Sequence, residues 1–528
     1  MRPTTCRTDP IPTKYVKNNI DILLPLITEI VNSSLINGEF SSLWKTSIII
    51  PLLKKSTFEH EIENYRPVNN LPWLSKVVKK NFLHQLNTYM TRNELLPSYI
   101  SGYREQNSTE TLRVKLVSDI LLNMDKRLIT PLVSVDLSAA FDTVDHVVLI
   151  NVLQKVFGLQ RSALNWVRNY LCDRHTKVQI NKSLSLETNL PFSVPQGSCA
   201  GPVFYNIYAS TLQLEISEYQ THILGYADDH SLYDSFQADS RLDEQTCISK
   251  LEKCLSTIKV WMTKNRLKMN NEKTECIMFG NKVQLNKCTT TSVTVDDSQI
   301  DLQDKIEYLG VPLDETLNFK AFIAKKCKIA AFQLYNIRKI RNSLSQKTAK
   351  QIIISLVISH LDYANAILSN LPANTIYPLQ RIQNQAAKLI LMRERIDSST
   401  EALKELHWLP IKWRIVFKVL CLAFKCVNNL APEYLQDMFV SSNISNYNLR
   451  SQAQGKQRFK TTTTRCVTLG DRAFAVDAPK RWNDLPSELQ NCKDFNSFKR
   501  KLKTHLFSKA FVYMVPLNVC LRTIMSTI

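Results

Sequence analysis

The feature that most constrains this chain is a set of three aspartates at the ends of predicted strands. A compact apolar run over residues 132–136 predicts a strand that ends in Asp136. Residues 221–233 predict two short strands that turn at Asp228 and Asp229. Hard divalent cations prefer carboxylate oxygens of this kind. Paired aspartates are also common in ordinary turns, so the interpretation depends on the segments around them.

The rest of the chain predicts an α+β protein. Its 528 residues suffice for several packed cores. Helix-spaced apolar residues over 20–38 end at Gly38, a favourable helix C-cap. Residues 320–440 predict almost continuous helix, and the polar stretch 441–464 predicts an irregular connection. Further strands are predicted at 47–53 and 275–279, and further helices at 146–157, 161–171, 241–266 and 495–507.

The positive charge of the chain is concentrated in its C-terminal part. The whole chain has a formal net charge of +20. Residues 321–528 contain 32 Lys and Arg against 12 Asp and Glu, whereas residues 1–320 are balanced. Such a confined excess favours a polyanionic partner, because Lys and Arg displace counterions from phosphates. A membrane surface could use the same charge.

Several other classes of protein are disfavoured. The first six residues lack the apolar core of a secretory signal. The apolar stretch 411–427 is interrupted by four Lys or Arg residues, which indicates an amphipathic helix and no membrane span. Thirteen cysteines without a C-x-x-C pair indicate reduced thiols and no zinc ribbon. We therefore expect an intracellular protein without a membrane partner, in the nucleus or the cytoplasm.

Ordered motifs around the aspartates resemble those of reverse transcriptases. Residues 133–142, 194–198 and 226–229 resemble motifs A, B and C of that family. The flanking matches are to the finger motifs (44–45 with 51–55, and 64–68), to motif D (267–274) and to the primer-grip motif E (308–310). Later segments resemble the C-terminal part of jockey-related non-LTR (LINE-type) retrotransposon proteins: 359–365, 379–384, 406–410, 478–486 and 498–507.

The resemblance implies a right-hand polymerase of the α+β class. Its expected parts are an N-terminal helical segment (1–39), fingers and palm (40–314), a thumb (315–400) and a helix-rich basic C-terminal region (401–528). The implied activity is RNA-directed DNA polymerisation, which copies retrotransposon RNA into DNA from a 3′-hydroxyl by two-metal nucleotidyl transfer. The implied partners are template RNA, a primer DNA 3′ end and deoxynucleoside triphosphates. The endonuclease of full-length relatives is not expected in this chain.

The resemblance also implies roles for individual residues. Asp136, Asp228 and Asp229 match the aspartates that bind two Mg²⁺ ions, with Mn²⁺ as an alternative, and Lys273 matches a proton donor to the leaving pyrophosphate. The residues that match nucleotide-binding positions are Arg66, Lys54, Phe141, Gln196 and Gly197. The turn that matches the primer grip consists of Tyr308, Leu309 and Gly310.

Some nearby residues favour a structural interpretation or depart from the family pattern. Asp142 and Asp145 are interpreted as acidic residues at a helix N-terminus. Phe141 lies five residues after Asp136, where the family places an aromatic ring beside the sugar 2′ position. Lys79 stands where relatives commonly have Glu, and His230 where Thr is common.

Two rival functions stay open on the sequence. One is a catalytically decayed retrotransposon relic that only binds nucleic acid. The other is an RNA-templated RNA polymerase, which shares the palm and the paired aspartates. Phe141 and residues 194–197 favour DNA synthesis over the latter.

Overall fold

The structure, a computed structural model, describes residues 6–55, 58–138, 143–195, 197–296, 298–441 and 458–512. Its helices are α1 Thr13–Asn18, α2 Ile20–Asn37, α3 Trp73–Arg92, α4 Thr109–Asp125, α5 His146–Lys155, α6 Arg161–Leu171, α7 Ala200–Ala209, α8 Leu212–Ile216, α9 Arg241–Lys264, α10 Lys282–Leu285, α11 Lys320–Ile340, α12 Gln346–Ile353, α13 Ser359–Asp362, α14 Ala373–Leu391, α15 Ser399–Glu405, α16 Ile411–Val427, α17 Glu433–Gln436, α18 Phe474–Asn483, α19 Ser487–Gln490 and α20 Phe495–Val512.

The strands are β1 Thr46–Leu53, β2 Tyr65–Asn70, β3 Leu128–Ser138, β4 His175–Ile180, β5 Ser183–Leu184, β6 Thr188–Asn189, β7 His222–Tyr226, β8 Asp229–Tyr233, β9 Phe236–Gln237, β10 Lys268–Met269, β11 Glu275–Phe279, β12 Ser292–Val295, β13 Ser298–Asp301, β14 Lys305–Tyr308 and β15 Val311–Asp314. The mixture confirms the predicted α+β class. The helix ends have local causes: Gly38 ends α2 in the left-handed conformation, and Ser108 closes a capping box at the start of α4.

Two larger sheets organise the N-terminal half. The first has the order β2-β1-β4-β5, with β6 also on β4; β1 is antiparallel to β2 and parallel to β4. The second is built around the long strand β3, which pairs antiparallel with β8, β9, β10 and β11, while β7 pairs with β8. A separate hairpin, β14–β15, precedes α11.

Apolar side chains in the described residues form two large buried clusters. One packs α2, α3 and α5–α9 against one face of β3. The other packs α4 and the β14–β15 hairpin against α11, α14, α16, α18 and α20. The second core therefore runs without interruption from the predicted palm into the predicted thumb and C-terminal region. The predicted boundaries at residues 39, 314 and 400 stay predictions.

Helix α2 has an apolar, largely exposed surface. In the described part of the chain it is the one helix long and apolar enough to cross a membrane, judged by length and composition alone. A buried helix of a globular protein passes the same test, so this is weak evidence for a span. One face of α2 is anchored, because Trp166 Nε1 of α6 donates a hydrogen bond to Ser34 Oγ at 3.1 Å.

Two buried cations, one on α3 and one just after α6, lie near the Tyr170 ring. Lys79 and Arg174 are each 1% exposed, and in the described ranges neither forms an ion pair with a carboxylate. Lys79 Nζ donates to Ser198 Oγ at 3.4 Å, and the Arg174 guanidinium lies 4.9 Å from the centre of the Tyr170 ring. Burial lowers the pKa of Lys79 to about 7.

We expect Lys79→Met to stabilise the protein, most strongly below pH 7. The unfolded chain binds the lysine proton up to its ordinary pKa of 10.5, whereas the folded chain releases it near pH 7. Below pH 7 both states carry the proton, and ionisation favours unfolding by a constant amount, about 1.4 kcal/mol for each unit by which folding lowers the pKa. This penalty falls as the pH rises from 7 to 10.5. Melting temperatures of wild type, Lys79→Met and the exposed control Lys80→Met across that range check this; a pH-independent difference would contradict it.

Candidate active site

Strand pairing brings the three predicted aspartates together. In the antiparallel register of β3 with β8, Asp136 lies opposite Asp229. Strands β7 and β8 pair Tyr226 with Asp229, so Ala227 and Asp228 form the tip of a two-residue turn. Ala227 has φ 58°, the left-handed conformation that such a tight turn requires. The predicted hairpin is confirmed, and its tip lies beside the end of β3.

A segment between α3 and α4 supports the turn from behind. Ser101 N donates to Gly225 O at 2.8 Å, and the buried Asn206 Nδ2 donates to Gly102 O at 2.6 Å. A Cβ on Gly102 would lie 2.4 Å from Ala227 N, so only glycine allows this approach. Sequence reasoning missed both Gly102 and Asn206. The one available signal was a glycine in the segment between α3 and α4.

The carboxylates repel one another in a partly buried setting. Burial, followed by the charges of Asp228 and Asp136, raises the pKa of Asp229 to about 6. Burial and Asp136 also raise the pKa of Asp228, while Arg66 and Lys273 act in the opposite direction. The site therefore carries more negative charge than its own cations offset.

The donor set fits a divalent cation. Asp136 Oδ2 is buried and accepts no hydrogen bond, although Lys273 Nζ lies 3.4 Å away as an ion-pair partner. A buried carboxylate oxygen in that state is an available metal ligand. Within the described ranges, no three His, Cys, Asp or Glu side chains converge into a ready-made metal cluster. The carboxylates are thus adjacent without forming a closed ligand sphere.

The predicted finger residues lie on the first sheet. Arg66 of β2 lies opposite Leu52 of β1, and its charge acts on Asp228. Lys54 follows β1 and instead donates from Nζ to Glu63 O at 2.7 Å, which ties the β1–β2 connection. Gly197 has φ 95°, and a Cβ there would lie 3.3 Å from Asn69 O of β2. The predicted motif B glycine therefore lies against the strand that carries Arg66.

The predicted primer-grip residues 308–310 form the turn between β14 and β15, here called the primer-grip turn. Tyr308 ends β14 and is 3% exposed, and its hydroxyl pKa is raised by burial and then by Tyr434 and Asp229. Leu309 and Gly310 have φ 45° and 80°. The charge of Asp229 thus acts on the side chain that begins this turn.

The remaining predicted residues have different outcomes. Phe141, Gln196 and Asp142 lie outside the described residues, so their roles stay predictions. Asp145 accepts hydrogen bonds from Val147 N and Val148 N, which confirms it as the N-cap of α5. His230 of β8 is buried, and burial lowers its pKa to about 4, so it is neutral near pH 7.

Known proteins resemble the part of the chain that contains the aspartates and the primer-grip turn. Residues 52–313 match the family model of reverse transcriptase (RNA-dependent DNA polymerase). Residues 52–313 therefore form a reverse transcriptase domain. Its α+β architecture is the right-hand fold expected from the motifs. Relatives from Drosophila also confirm the predicted non-LTR retrotransposon relationship.

Two of these relatives come from Drosophila melanogaster. The chain is 26% identical over 363 residues to the probable RNA-directed DNA polymerase from transposon BS, covering 66% of this chain and 39% of that protein. It is 27% identical over 308 residues to the RNA-directed DNA polymerase from mobile element jockey, covering 57% of this chain and 32% of that protein. The chain therefore matches less than half the length of these relatives.

Among solved structures, the chain resembles apo telomerase from Candida tropicalis at 12% identity. The match covers 72% of this chain and 70% of that one, with a TM-score of 0.37. Reverse transcriptases as a family use an RNA template, nucleotide substrates and a divalent metal ion.

Replacing Asp229 by Asn should stabilise the metal-free protein at about pH 7.5, because ionised Asp229 is disfavoured by burial and by its two neighbours. The gain should vanish near pH 4, where the raised pKa leaves the wild-type carboxyl protonated. Added Mg²⁺ should raise the melting temperature of wild type more than that of the variant. Thermal unfolding in EDTA and in Mg²⁺ checks this, and a variant that melts below wild type in EDTA would contradict it.

Proposed function

We propose that this chain is an RNA-directed DNA polymerase that copies retrotransposon RNA into DNA from a primer 3′-hydroxyl. The observation that carries the proposal is the register of β3 and β8, which sets Asp136 beside the Asp228–Asp229 turn within a reverse transcriptase domain. Its substrates are template RNA, a primer DNA end and deoxynucleoside triphosphates. Since these substrates occur inside cells, we also propose an intracellular location without a membrane partner.

Asp136, Asp228 and Asp229 would hold two Mg²⁺ ions, or Mn²⁺. When bound there, such ions neutralise the charge that develops on the attacking and leaving oxygens. The role of the chain's own residues is to keep three carboxylates adjacent despite their repulsion, which the β-ladder and the Gly102 contact accomplish. The buried, unbonded Asp136 Oδ2 supports this assignment.

The cations near the carboxylates have separate proposed roles in triphosphate binding and in proton donation. Arg66 acts electrostatically on Asp228, and a guanidinium can bind a triphosphate in a bidentate manner. Lys273 is 67% exposed at its side chain and lies at Asp136, where it can reach a leaving pyrophosphate as a proton donor. Lys54 is held by Glu63 O, so its contribution to triphosphate binding would require it to leave that carbonyl.

A basic and aromatic surface on α11 supports binding of the template and primer. Lys328, Phe332, Tyr335 and Lys339 recur at spacings of three and four residues, which places them on one face of the helix. Phe332 and Tyr335 are 61% and 54% exposed, and Lys339 Nζ lies 4.5 Å from the Tyr335 ring centre. Cations bind backbone phosphates, and exposed aromatic rings stack on bases.

The relic that only binds nucleic acid is not favoured, because the three carboxylates are present and adjacent. An RNA-templated RNA polymerase would share this geometry. Phe141 distinguishes the two by sequence, since the bulk of its ring would exclude a 2′-hydroxyl. Changes to the carboxylates therefore test polymerisation, and a change to the Phe141 ring tests the choice between deoxyribonucleotides and ribonucleotides.

We expect Asp136→Ala and Asp228→Ala to lower polymerisation by several orders of magnitude, because each removes a ligand from a site that stabilises transition-state charge. Asp229→Ala should be milder. RNA binding should survive in all three. Single-nucleotide incorporation on a primed RNA template measures this, with exposed Asp301→Ala as the matched control. Near-normal extension by Asp136→Ala would refute the proposed site.

Phe141→Ala should keep DNA synthesis and admit ribonucleotides. The change removes bulk beside the sugar without altering a metal ligand. Incorporation of dGTP and GTP is compared on one primed RNA template for wild type and variant. If the variant discriminates as well as wild type, the steric role of Phe141 fails while the polymerase assignment stands.

A further inference from the structure

A tyrosine and an arginine from distant parts of the chain meet at the primer-grip turn. Arg113 of α4 donates from Nη1 to Leu309 O, and Tyr363 Oη donates to the same carbonyl at 3.2 Å. Arg113 Nη1 also donates to Tyr363 Oη at 2.9 Å. The carbonyl of Leu309, a residue with φ 45°, therefore accepts two hydrogen bonds, and the two donor side chains are also hydrogen-bonded to each other.

Both side chains are themselves fixed. Arg113 is 2% exposed, and its Nη2 donates to Thr109 Oγ1 at 3.2 Å. The Tyr363 ring has two cations nearby: the Arg113 guanidinium lies 4.8 Å and Lys326 Nζ 3.8 Å from the ring centre. Cation–π contacts of this kind orient the ring as well as stabilise it. The hydroxyl is thus held in place from α4 and from α11.

The segment 359–365 resembles the C-terminal part of jockey-related retrotransposon proteins. Its conformation explains how Tyr363 reaches the primer-grip turn. Helix α13 ends at Asp362, whose carboxylate accepts two hydrogen bonds from the Arg414 guanidinium of α16, one from Nε at 2.8 Å. Ala364 then adopts φ 54° and reverses the chain. This fixed helix end projects Tyr363 toward Leu309.

Gly310 completes the fit. It has φ 80°, and a Cβ at this position would lie 2.8 Å from Tyr363 Oη but 3.9 Å from Cζ. The first distance is a clash, and the second is an ordinary contact. The tyrosine hydroxyl therefore clashes with any side chain at 310, and the positive φ disfavours one as well.

We propose that Tyr363, with Arg113 behind it, is a positioning residue that holds the primer-grip turn and thereby the primer 3′-hydroxyl. The inference rests on the proposed polymerase function. Neither residue touches the carboxylates, so they act through the backbone of Leu309 and Gly310. Small displacements of a reacting group lower rates strongly, which makes the turn a sensitive point.

The first test is Tyr363→Phe, which removes the hydroxyl and keeps the ring between its two cations. The change removes two hydrogen bonds of the hydroxyl, the one donated to Leu309 O and the one accepted from Arg113 Nη1, and should lower the single-turnover incorporation rate about tenfold. The melting temperature, the dNTP dissociation constant and the burst amplitude should stay at wild-type values, whereas a merely structural role would lower the melting temperature and the amplitude.

The matched control is Tyr89→Phe. Tyr89 is 40% exposed, close to the 37% of Tyr363, and its hydroxyl likewise donates to a backbone carbonyl, Phe157 O at 2.9 Å. Tyr89 belongs neither to the aspartate site nor to the primer-grip turn. The control should incorporate nucleotides at the wild-type rate.

The second test is a double-mutant cycle with Gly310→Ala. This variant should lose more activity than Tyr363→Phe and should also melt lower, because its Cβ meets the hydroxyl and its φ is positive. In the double variant the clash partner is absent, so both the melting temperature and the rate should recover above those of Gly310→Ala alone.

The outcomes separate the two proposals. If wild type extends no primer, the polymerase function fails and the positioning role fails with it. If wild type is active and Tyr363→Phe matches it in rate, the positioning role alone is overturned. The same holds if Tyr363→Phe gives Gly310→Ala no recovery. Recovery together with a selective loss of incorporation rate supports the positioning role.

Discussion

The antiparallel pairing of β3 with β8 is the interaction on which the active-site geometry depends. Side chains alternate between the two faces of a strand, so a shift of one residue would move Asp136 to the opposite face. The buried apolar residues oppose such a shift, because Val133 and Val135 pack in the core on one face of β3 and Leu132 packs in the core on the other, and each would leave its own core. The hydrophobic pattern of β3 thereby maintains a carboxylate arrangement that electrostatic repulsion alone would disperse.

Local sequence patterns predicted the elements that local physics determines. The end of α2 at Gly38, the acidic cap Asp145 and the hairpin at Asp228 all follow from residue preferences within a few positions. The sequence also predicted that β3 ends near Asp136, although the strand extends to Ser138. For this reason the amino-acid sequence alone was sufficient to propose three carboxylates as metal ligands.

The supporting residues could not be predicted in the same way, because their partners are far away in the chain. Tyr434 forms hydrogen bonds with Ser101 and Thr111 across more than 300 residues, next to the segment that supports the aspartate turn. Arg113 reaches Leu309 across 196 residues. The burial of Lys79 was equally hidden, since a single lysine in a helix ordinarily indicates a solvated surface.

The continuous core that joins α4 to the C-terminal helices has a consequence for how the protein is made. Ribosomes add about 5–20 residues per second, so the apolar face of α4 emerges roughly tens of seconds before α16, α18 and α20 can cover it. During that interval the nascent chain exposes a surface that later belongs to its interior. Chaperone occupancy on the ribosome should therefore persist until the final helices are synthesised, and premature stop codons in the C-terminal region would yield aggregation-prone chains.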